Sequence, residues 1–320
     1  MDPDRKKVAA IILAAAGFVL FAFSTAAMLK RLEPFYTCYY SFAWWSYIVI
    51  VQALLHRKRG DFLLFDNPGK FLVLLPLSVT VWLIFEAFNF RLSNWRYVSI
   101  PPDMFERWTG YAIAYATVLP GIFSTLELLD SAGVLKNSRR PPLADARGLY
   151  RPFILAGAFC VVLPLVWPQF FFPLVWGAFI FLLEPLNHRL GAPSLLRGWE
   201  RGSLRTFYLL LLAGLLCGLL WEMWNFRAGA KWIYTVPHVG FLKIFEMPAL
   251  GFLGFPPFAV ECYAMTASFF ALAGKIREKY SRQKALCLYL FGAALVLVFD
   301  LLVLAGIDRL TVLSYQAASG

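Results

Sequence analysis

The sequence has little charge and few of the residues that build soluble active sites. Of its 320 residues, 15% are charged, 5 are cysteine and 3 are histidine, whereas soluble domains carry about 25% charged residues. The cysteines are scattered and have no metal or redox spacing. No Gly-rich phosphate loop, nucleophile elbow or Ser-His-Asp arrangement is visible. We therefore expect neither a cofactor nor a metal.

What the chain does have is apolar sequence in long stretches. The residues are 60% hydrophobic, and the mean hydropathy is +0.64. The net charge of +11 comes from basic residues in loops beside these stretches, which indicates membrane topology and not nucleic-acid binding. We expect an all-α integral membrane protein whose partners are membrane lipids and a hydrophobic small molecule. The sequence does not indicate its oligomeric state.

Nine stretches have the length of a membrane span. They cover residues 8–29, 36–55, 71–89, 110–129, 153–167, 169–187, 206–226, 248–273 and 286–306. Prolines interrupt 153–187, so one broken helix is the alternative there. If 153–187 forms two spans, 21 of the 30 lysines and arginines lie on the same side of the membrane as the N-terminus. If it forms one span, only 16 lie there. The positive-inside rule favours two spans, with a cytoplasmic N-terminus and an outside C-terminus in a bacterial inner membrane.

A polar motif occurs twice in the chain. Glu86, Asn89, Arg91, Trp95 and Tyr97 each recur 136 or 137 residues later. The second copy consists of Glu222, Asn225, Arg227, Trp232 and Tyr234. At an offset of 132, His56-Arg57 and Leu63-Leu64 also recur, as His188-Arg189 and Leu195-Leu196. These landmarks predict two related four-helix halves plus a final helix.

The chain then divides into a first transmembrane half (1–135), a basic cytoplasmic linker (136–151), a second half (152–275), and a last helix with its tail (276–320). Each half has an even number of spans, so both copies of the motif fall at the outer face. The two histidine loops fall at the inner face, where we expect His56 and His188 to meet solvent or phospholipid.

The repeated acids are the candidate catalytic groups. In each copy, Glu and Asn are three residues apart and share one face of a helix. A carboxyl group in hydrocarbon is held as a neutral acid that can donate a proton, and Asn89 and Asn225 would orient Glu86 and Glu222. The alternative is structural: Arg91 and Arg227 would form ion pairs with these acids.

Two further carboxyl groups lie inside apolar spans, and intramembrane acids are functional candidates. They are Glu127 and Glu261, which match at an offset of 134. The duplicated Trp95, Tyr97, Trp232 and Tyr234 would line a substrate cavity with Arg91 and Arg227. Each aromatic face would stabilise a cation by about 0.5–2 kcal/mol.

Several of these segments resemble the integral membrane lycopene cyclase family, the heterodimeric and fused carotenoid cyclases. The similar pieces of the second half are Trp221-Glu222, Trp232-Ile-Tyr234 and Pro257 with Glu261. Those of the first half are Phe85-Glu86, Trp95-Arg-Tyr97 and Pro120 with Glu127. The resemblance implies repeated helical units and a carotenoid or isoprenoid substrate.

Three hypotheses follow. In the first, the protein is an enzyme in which a neutral Glu protonates an isoprenoid double bond, aromatic faces stabilise the cation and a second Glu accepts the last proton. In the second, a transporter or lipid-handling protein uses the acids to relay protons or to neutralise a cation. In the third, the outer Arg, Trp and Tyr residues of a structural subunit only anchor it at the membrane interface.

Overall fold

The computed structural model describes residues 3–60 and 67–313, which are helical along most of their length. The elements of the first part are α1 (Pro3–Leu29), α2 (Tyr39–Arg59), α3 (Pro68–Leu92), β1 (Trp95–Val98), α4 (Met104–Tyr115), α5 (Val118–Ser131) and a 3-10 turn at Ala146–Leu149. The repeated Leu63-Leu64 pair lies outside the described residues.

The second part begins with α6 (Tyr150–Val166), α7 (Pro168–Phe171), a 3-10 segment at Phe172–Gly177, α8 (Ala178–Leu190), α9 (Leu195–Glu200) and α10 (Arg205–Arg227). It continues with β2 (Lys231–Tyr234), β3 (Lys243–Ile244), β4 (Met247–Pro248), a 3-10 segment at Ala249–Gly254, α11 (Phe255–Lys279) and α12 (Arg282–Leu310).

Among the described residues, seven helical stretches are long and apolar enough to cross a membrane. They are Lys6–Leu29, Pro68–Leu92, Met104–Ser131, Ala146–Val166, Pro168–Leu190, Arg205–Arg227 and Arg282–Leu310. The prediction of a multi-pass membrane protein of the all-α class is thereby confirmed. Helices α2 and α11 are as long but carry more polar and aromatic residues, many of them buried. A helix enclosed by other helices need not match lipid.

The proline-rich segment 153–187 consists of two separate helical stretches, as the count of basic residues predicts. Helix α6 ends at Val166, because Trp167 has φ −127° and ψ 69° and Pro168 then begins α7. The residue before a proline is disfavoured in the helical region, so the break falls where the sequence requires it. Helices α6 and α8 pack against each other across the break.

An aromatic cluster around Trp44 forms the centre of the helix packing. Trp44 of α2 is fully buried, and its ring lies 4.9 Å from that of Trp224 and 5.5 Å from that of Trp221. Gly121 of α5 makes room for it, because a Cβ atom there would lie 2.7 Å from Trp44 Cζ3. Close packing of this kind replaces the hydrophobic effect as the main source of helix association in a bilayer.

Helices α10 and α11 approach each other at two glycines spaced four apart. A Cβ atom on Gly214 would lie 2.4 Å from the carbonyl oxygen of Phe255, and one on Gly218 would overlap the Phe255 ring. Such glycine pairs are typical of tight helix contacts in membranes. The Gly214-x-x-x-Gly218 spacing thus fixes the helix that carries Glu222 against the one that carries Glu261.

Strands β1 and β2 form a short antiparallel ribbon at one end of the helices, which we call the ribbon end. Its register pairs Trp95 with Tyr234 and Tyr97 with Trp232. The end of α12 joins this ribbon, since the Tyr97 N–H donates to the Thr311 carbonyl at 2.9 Å and Tyr97 bridges Val312. Strands of four residues are too short to be recognised in the sequence. Because the rest of the described chain is mostly helical, the protein still belongs to the all-α class.

At the opposite end, the expectation that both repeated histidines meet solvent or phospholipid is wrong. His56 is buried. His188 has Tyr150 Oη 2.6 Å from its Nδ1 and Glu200 Oε2 2.9 Å from its Nε2. The backbone N–H of Ala146 donates to Glu200 at 3.0 Å, so this cluster joins the loop before α6 to the end of α9.

Candidate functional site

The site begins where α3 ends and the chain turns into β1. Ser93 adopts a left-handed conformation at the helix terminus. The buried side chain of Asn89 then accepts a hydrogen bond from the Asn94 N–H at 2.8 Å and donates one to the Trp95 carbonyl at 2.9 Å. Asn89 therefore holds the start of the strand against the last turn of the helix.

The same arrangement occurs where α10 leads into β2. Asn225 accepts from the Trp232 N–H at 3.0 Å and donates to the Trp232 carbonyl at 2.9 Å. The prediction that the asparagines orient the acids is therefore wrong in its detail. Asn89 and Asn225 bind backbone groups of the strands, and it is side chains of those strands that reach the carboxyl groups.

Glu86 is fully buried and accepts three hydrogen bonds on a single oxygen. Its Oε1 receives them from Trp82 Nε1 at 2.8 Å, Trp95 Nε1 at 3.0 Å and Tyr97 Oη at 2.5 Å. The second oxygen, Oε2, is buried and has no hydrogen-bond partner among the described residues. Tyr97 in turn accepts from Tyr115 Oη at 3.0 Å, which extends the chain of hydroxyl groups.

Glu222 is equally buried but has a poorer set of donors. Its Oε1 accepts one hydrogen bond, from Tyr234 Oη at 2.7 Å. Trp232 Nε1 donates to the Tyr234 oxygen at 2.8 Å instead of to the carboxyl group. As with Glu86, the Oε2 atom is buried without a partner in the described part of the chain.

The two tyrosines that contact the acids are held in their neutral form. Burial, and then the neighbouring Glu86 carboxyl, keeps the pKa of Tyr97 well above its usual range. Burial and Glu222 do the same to the pKa of Tyr234. A phenol that stays protonated can both donate and accept a hydrogen bond. Each tyrosine is thus suited to pass a proton to or from its acid.

Two cavities meet at this cluster. The first, which we call the tyrosine cavity, has a volume of about 130 Å³. Its walls include Tyr97, Tyr111, Tyr115, Tyr234 and Trp221, and Glu106, Arg107 and Lys231 also line it. Arg107 is paired with Asp308, and Lys231 with Glu246. These cations are therefore neutralised by carboxylates, and most of the lining is apolar.

The second cavity, which we call the tryptophan cavity, is larger, at about 350 Å³. Its walls include Trp82, Trp95, Trp176, Trp232, Phe172 and Phe258. Four residues line both cavities: Trp82, Trp232, Tyr234 and Phe255. Neither Glu86 nor Glu222 lines either cavity. A ligand would meet the tyrosines and tryptophans that bind the acids, and not the acids themselves.

The predicted arginines do not join this cluster. Arg91 donates from Nε to the Leu165 carbonyl at 2.9 Å and so ties α3 to the end of α6. The guanidinium of Arg227 lies 5.8 Å from the centre of the neighbouring Phe226 ring. In the described part of the chain, neither arginine lines either of these two cavities or forms an ion pair with Glu86 or Glu222. The structural alternative, in which the arginines neutralise Glu86 and Glu222, is therefore wrong.

The second predicted pair of acids is not an equivalent pair. Glu261 is fully buried and accepts the N–H of Phe179, in the first turn of α8, at 2.9 Å. Its other oxygen is buried and unpartnered within the described ranges, and Glu261 lines neither cavity. Glu127 is exposed and lines neither cavity. The residue 137 positions before Glu261 is the buried Ser124, which accepts from Gln52 Nε2 at 2.9 Å.

Some residues of the cluster were missed at the sequence level. Trp82 donates to Glu86 and lines both cavities, and its position four residues before Glu86 on the same helix face was a usable signal. Tyr111 and Tyr115 stack with an interplanar angle of 1° on the wall of the tyrosine cavity. Their i, i+4 spacing also places them on one face, but it resembles ordinary helix packing.

The described residues contain no group of three or more His, Cys, Asp or Glu side chains placed to hold a metal ion. The cluster itself offers carboxyl groups, phenols and indoles. Comparison of the chain with protein-family models, with curated proteins and with solved structures found no match.

Proposed function

We propose that the protein is an integral membrane enzyme that cyclises a lipid-soluble isoprenoid or carotenoid by proton transfer. One observation carries this proposal. Two buried carboxyl groups each bind a tyrosine, Glu86 with Tyr97 and Glu222 with Tyr234, and both tyrosines line the tyrosine cavity. An apolar site with two acid–phenol pairs can add a proton to a hydrocarbon and remove another.

The different donor sets suggest different roles for the two acids. Three donors converge on one oxygen of Glu86, and hydrogen bonds of this kind match an ionised carboxylate. Within the described residues, Glu222 accepts one hydrogen bond, so less stabilises its charged form. We assign Glu222 as the acid that starts the reaction and Glu86 as the base that ends it.

The reaction is an isomerisation, so substrate and product have the same atoms. Tyr234 gives its hydroxyl proton to a double-bond carbon of the substrate, and Glu222 replaces that proton, so a C–H bond forms and Glu222 becomes a carboxylate. The cation closes a ring by accepting electrons from a second double bond. It then loses a proton to the Tyr97 oxygen while Tyr97 passes its own proton to Glu86. Proton exchange between the acids restores the starting state.

The aromatic walls would stabilise the cation. Trp82, Trp232 and Phe255 line both cavities, and each aromatic face contributes about 0.5–2 kcal/mol to a nearby cation. The apolar lining also excludes the water that would capture the cation as an alcohol.

The proposal extends to topology. It comprises nine spans in a bacterial inner membrane, a cytoplasmic N-terminus and two related halves whose motifs meet at the outer face. The paired bonds of Asn89 and Asn225 to their strands support it, because each asparagine bonds both the N–H and the carbonyl of the tryptophan in its own strand. A pseudo-two-fold axis along the membrane normal would relate the halves.

The test is product formation from the acyclic polyene lycopene by purified protein in lipid nanodiscs made up in D₂O. We expect a cyclic product that has gained deuterium on carbon. Tyr234→Phe should abolish both product and label, whereas Tyr208→Phe, on α10 and outside both cavities, should match the wild type. A wild-type protein that yields neither product nor label from acyclic isoprenoids would refute the proposal.

A lipid-handling protein is the second candidate, because the tryptophan cavity includes the exposed Leu250 and Leu253 in its wall. Such a protein would bind an isoprenoid or phospholipid without changing it. Bound lipid recovered unaltered, with no deuterium on carbon, would favour this function over the enzyme.

A further inference from the structure

The tryptophan cavity has an apolar opening on the outside of the molecule. Leu253 and Leu250 both line the cavity, yet they are 71% and 55% exposed. Phe172 and Pro173 line it from another part of the chain. Residues that belong to a cavity wall and to the outer surface at once mark its mouth. This mouth presents hydrocarbon and not polar groups.

The backbone on both sides of the mouth is not α-helical. The 3-10 segments Phe172–Gly177 and Ala249–Gly254 approach each other there, and a Cβ atom on Gly254 would lie 3.2 Å from the Trp176 ring. The first of these segments belongs to the candidate span Pro168–Leu190. Irregular backbone at membrane depth is tolerated where it is buried or lines a cavity. Its position here therefore suits an opening built into the wall of the bundle.

The surface around the mouth is apolar as well. Phe170, Phe241 and Leu242 are all more than 60% exposed, and Phe170 stacks on His238 of the β2–α11 loop. The exposed Lys243 follows directly. An exposed apolar patch of this kind would favour aggregation in water. Apolar and aromatic residues beside a lysine are instead typical of an element that lies at the membrane interface.

Inside the mouth, the cavity leads to the proposed reaction site. Its inner wall includes Trp82, Trp232, Tyr234 and Phe255, all of which also line the tyrosine cavity. The walls between mouth and inner end are largely aromatic, among them Trp95, Trp176 and Phe258. A long hydrocarbon chain fits this lining, and its end would arrive at Tyr234.

We propose that the tryptophan cavity is loaded sideways from the bilayer, through the mouth at Leu250 and Leu253, by the long hydrocarbon chain of a membrane-dissolved molecule. That the hydrocarbon chain reacts at Tyr234 rests on the proposed function. The loading itself does not, because it requires only the cavity and its mouth.

The test uses photo-cross-linking in phosphatidylcholine nanodiscs in which a small fraction of the lipid carries a diazirine at the end of an acyl chain. After irradiation, peptide mass spectrometry maps the labelled residues. We expect label on Trp176, Phe258 or Trp232, in addition to the exposed α12 residues Leu290 and Leu297. The α12 label serves as the internal standard for correct insertion.

Leu253→Lys should lower the cavity label at least fivefold relative to the α12 label, because it places an ammonium group at the mouth. Phe241→Lys is the matched control: this residue is 78% exposed on the same loop but lines neither cavity, and it should keep the wild-type ratio. Gly254→Leu, which narrows the gap to Trp176, should act like Leu253→Lys. Equal ratios in Leu253→Lys and the wild type, or α12 label with none in the cavity, would overturn the inference.

A second arm identifies the source of the chain. Squalene added to the discs should displace the cavity label if an isoprenoid is the preferred occupant, whereas persistence of the label assigns the site to phospholipid acyl chains. Both results retain sideways loading. Cross-linking does not depend on product formation, so failure of the lycopene assay would not contradict sideways loading. A negative cross-linking result would overturn sideways loading but would not decide the proposed chemistry, which the lycopene assay tests.

Discussion

Arg96 and Ile233 stand opposite each other in the β1–β2 ribbon, between the two tryptophan–tyrosine pairs. Each lies between a tryptophan and a tyrosine of its own strand. The antiparallel register therefore pairs Trp95 with Tyr234 on one side and Tyr97 with Trp232 on the other. A local two-fold rotation through this pair exchanges the strands. The tyrosines of both strands thereby come to line one cavity, although they are 137 residues apart in the chain.

The asparagine contacts predict a stability effect. Asn89→Ala or Asn225→Ala removes a buried side chain that serves one N–H and one C=O of the ribbon, and each loss should lower the free energy of unfolding by about 1–3 kcal/mol. Asn89→Asp keeps an acceptor for the backbone N–H but sets a carboxylate oxygen against the Trp95 carbonyl, so it should lose at least as much stability as Asn89→Ala. Thermal unfolding in detergent measures the change. An Asn89→Ala protein as stable as the wild type would contradict the role assigned to this side chain.

The two repeated acids should fail at different steps. Glu222→Gln should prevent the first protonation and lower turnover by about 10²–10⁴-fold, the usual contribution of a general acid, with no deuterium on carbon. Glu86→Gln should still admit deuterium but lower the yield of finished cyclic product. The measurement is mass spectrometry of lycopene-derived products in D₂O. If neither Glu222→Gln nor Glu86→Gln gave deuterium on carbon, the assignment of Glu222 as the acid and Glu86 as the base would be contradicted.

The other two acids should behave differently from each other as well. Glu261→Ala leaves the Phe179 N–H without its acceptor and should lower stability by about 1–3 kcal/mol, whereas Glu261→Gln keeps an acceptor and should come close to the wild type. Glu127→Gln changes an exposed side chain that lines neither cavity and should leave product formation unchanged. Loss of product in Glu127→Gln at unchanged stability would restore this residue to the site.

The glycine contact between α10 and α11 gives a packing prediction. Gly214→Leu inserts a side chain where the Phe255 carbonyl is already close, and overpacking of this kind lowers stability by about 1–3 kcal/mol or more. Gly274→Leu, on α11, meets no atom within 4 Å of its Cβ position and is the control. Thermal unfolding of the two variants side by side provides the comparison. Equal unfolding midpoints for Gly214→Leu and Gly274→Leu would contradict a tight contact between α10 and α11 at Gly214.

A pH dependence is expected at the end of the molecule opposite the ribbon. The Ala146 N–H, and next His188, lower the pKa of Glu200. The folded state therefore favours the carboxylate, so its stabilisation is complete above the ordinary glutamate pKa of about 4.3 and is lost as pH falls through the lower, folded-state value. Hydrogen exchange around residues 146–151 should rise in that window. Glu200→Gln should remove the pH dependence, and an unchanged profile would contradict the assignment.

The sequence predicted those features that depend on local pattern. Apolar length placed the helices, and Pro168 together with the basic residues divided 153–187 correctly. The fixed spacing of Glu86 to Trp95 and Tyr97 suggested that these residues are neighbours, because a helix end and a short connection leave little freedom between them.

The sequence could not predict contacts that depend on distant chain segments. Arg91 binds carbonyl groups of α6, 74 residues away in sequence, so the five-residue spacing to Glu86 was misleading. Glu127 was matched to Glu261 by type, although the offset of the ribbon leads to Ser124. The spacing between the two copies varies from 132 to 137 residues, so the sequence alone did not show which positions correspond.

The end of α12 makes the two sides of the ribbon unequal. It adds Val312 beside β1 and supplies Asp308 to Arg107, and the structure describes no such addition beside β2 in residues 3–60 and 67–313. A ligand at the ribbon would therefore contact β1, which the end of α12 supports, on one side. On the other side it would contact β2, which leads into the loop that carries Leu250 and Leu253. The direction in which a substrate lies, head toward one acid and tail toward the membrane, would then be set by a segment that belongs to neither copy of the motif.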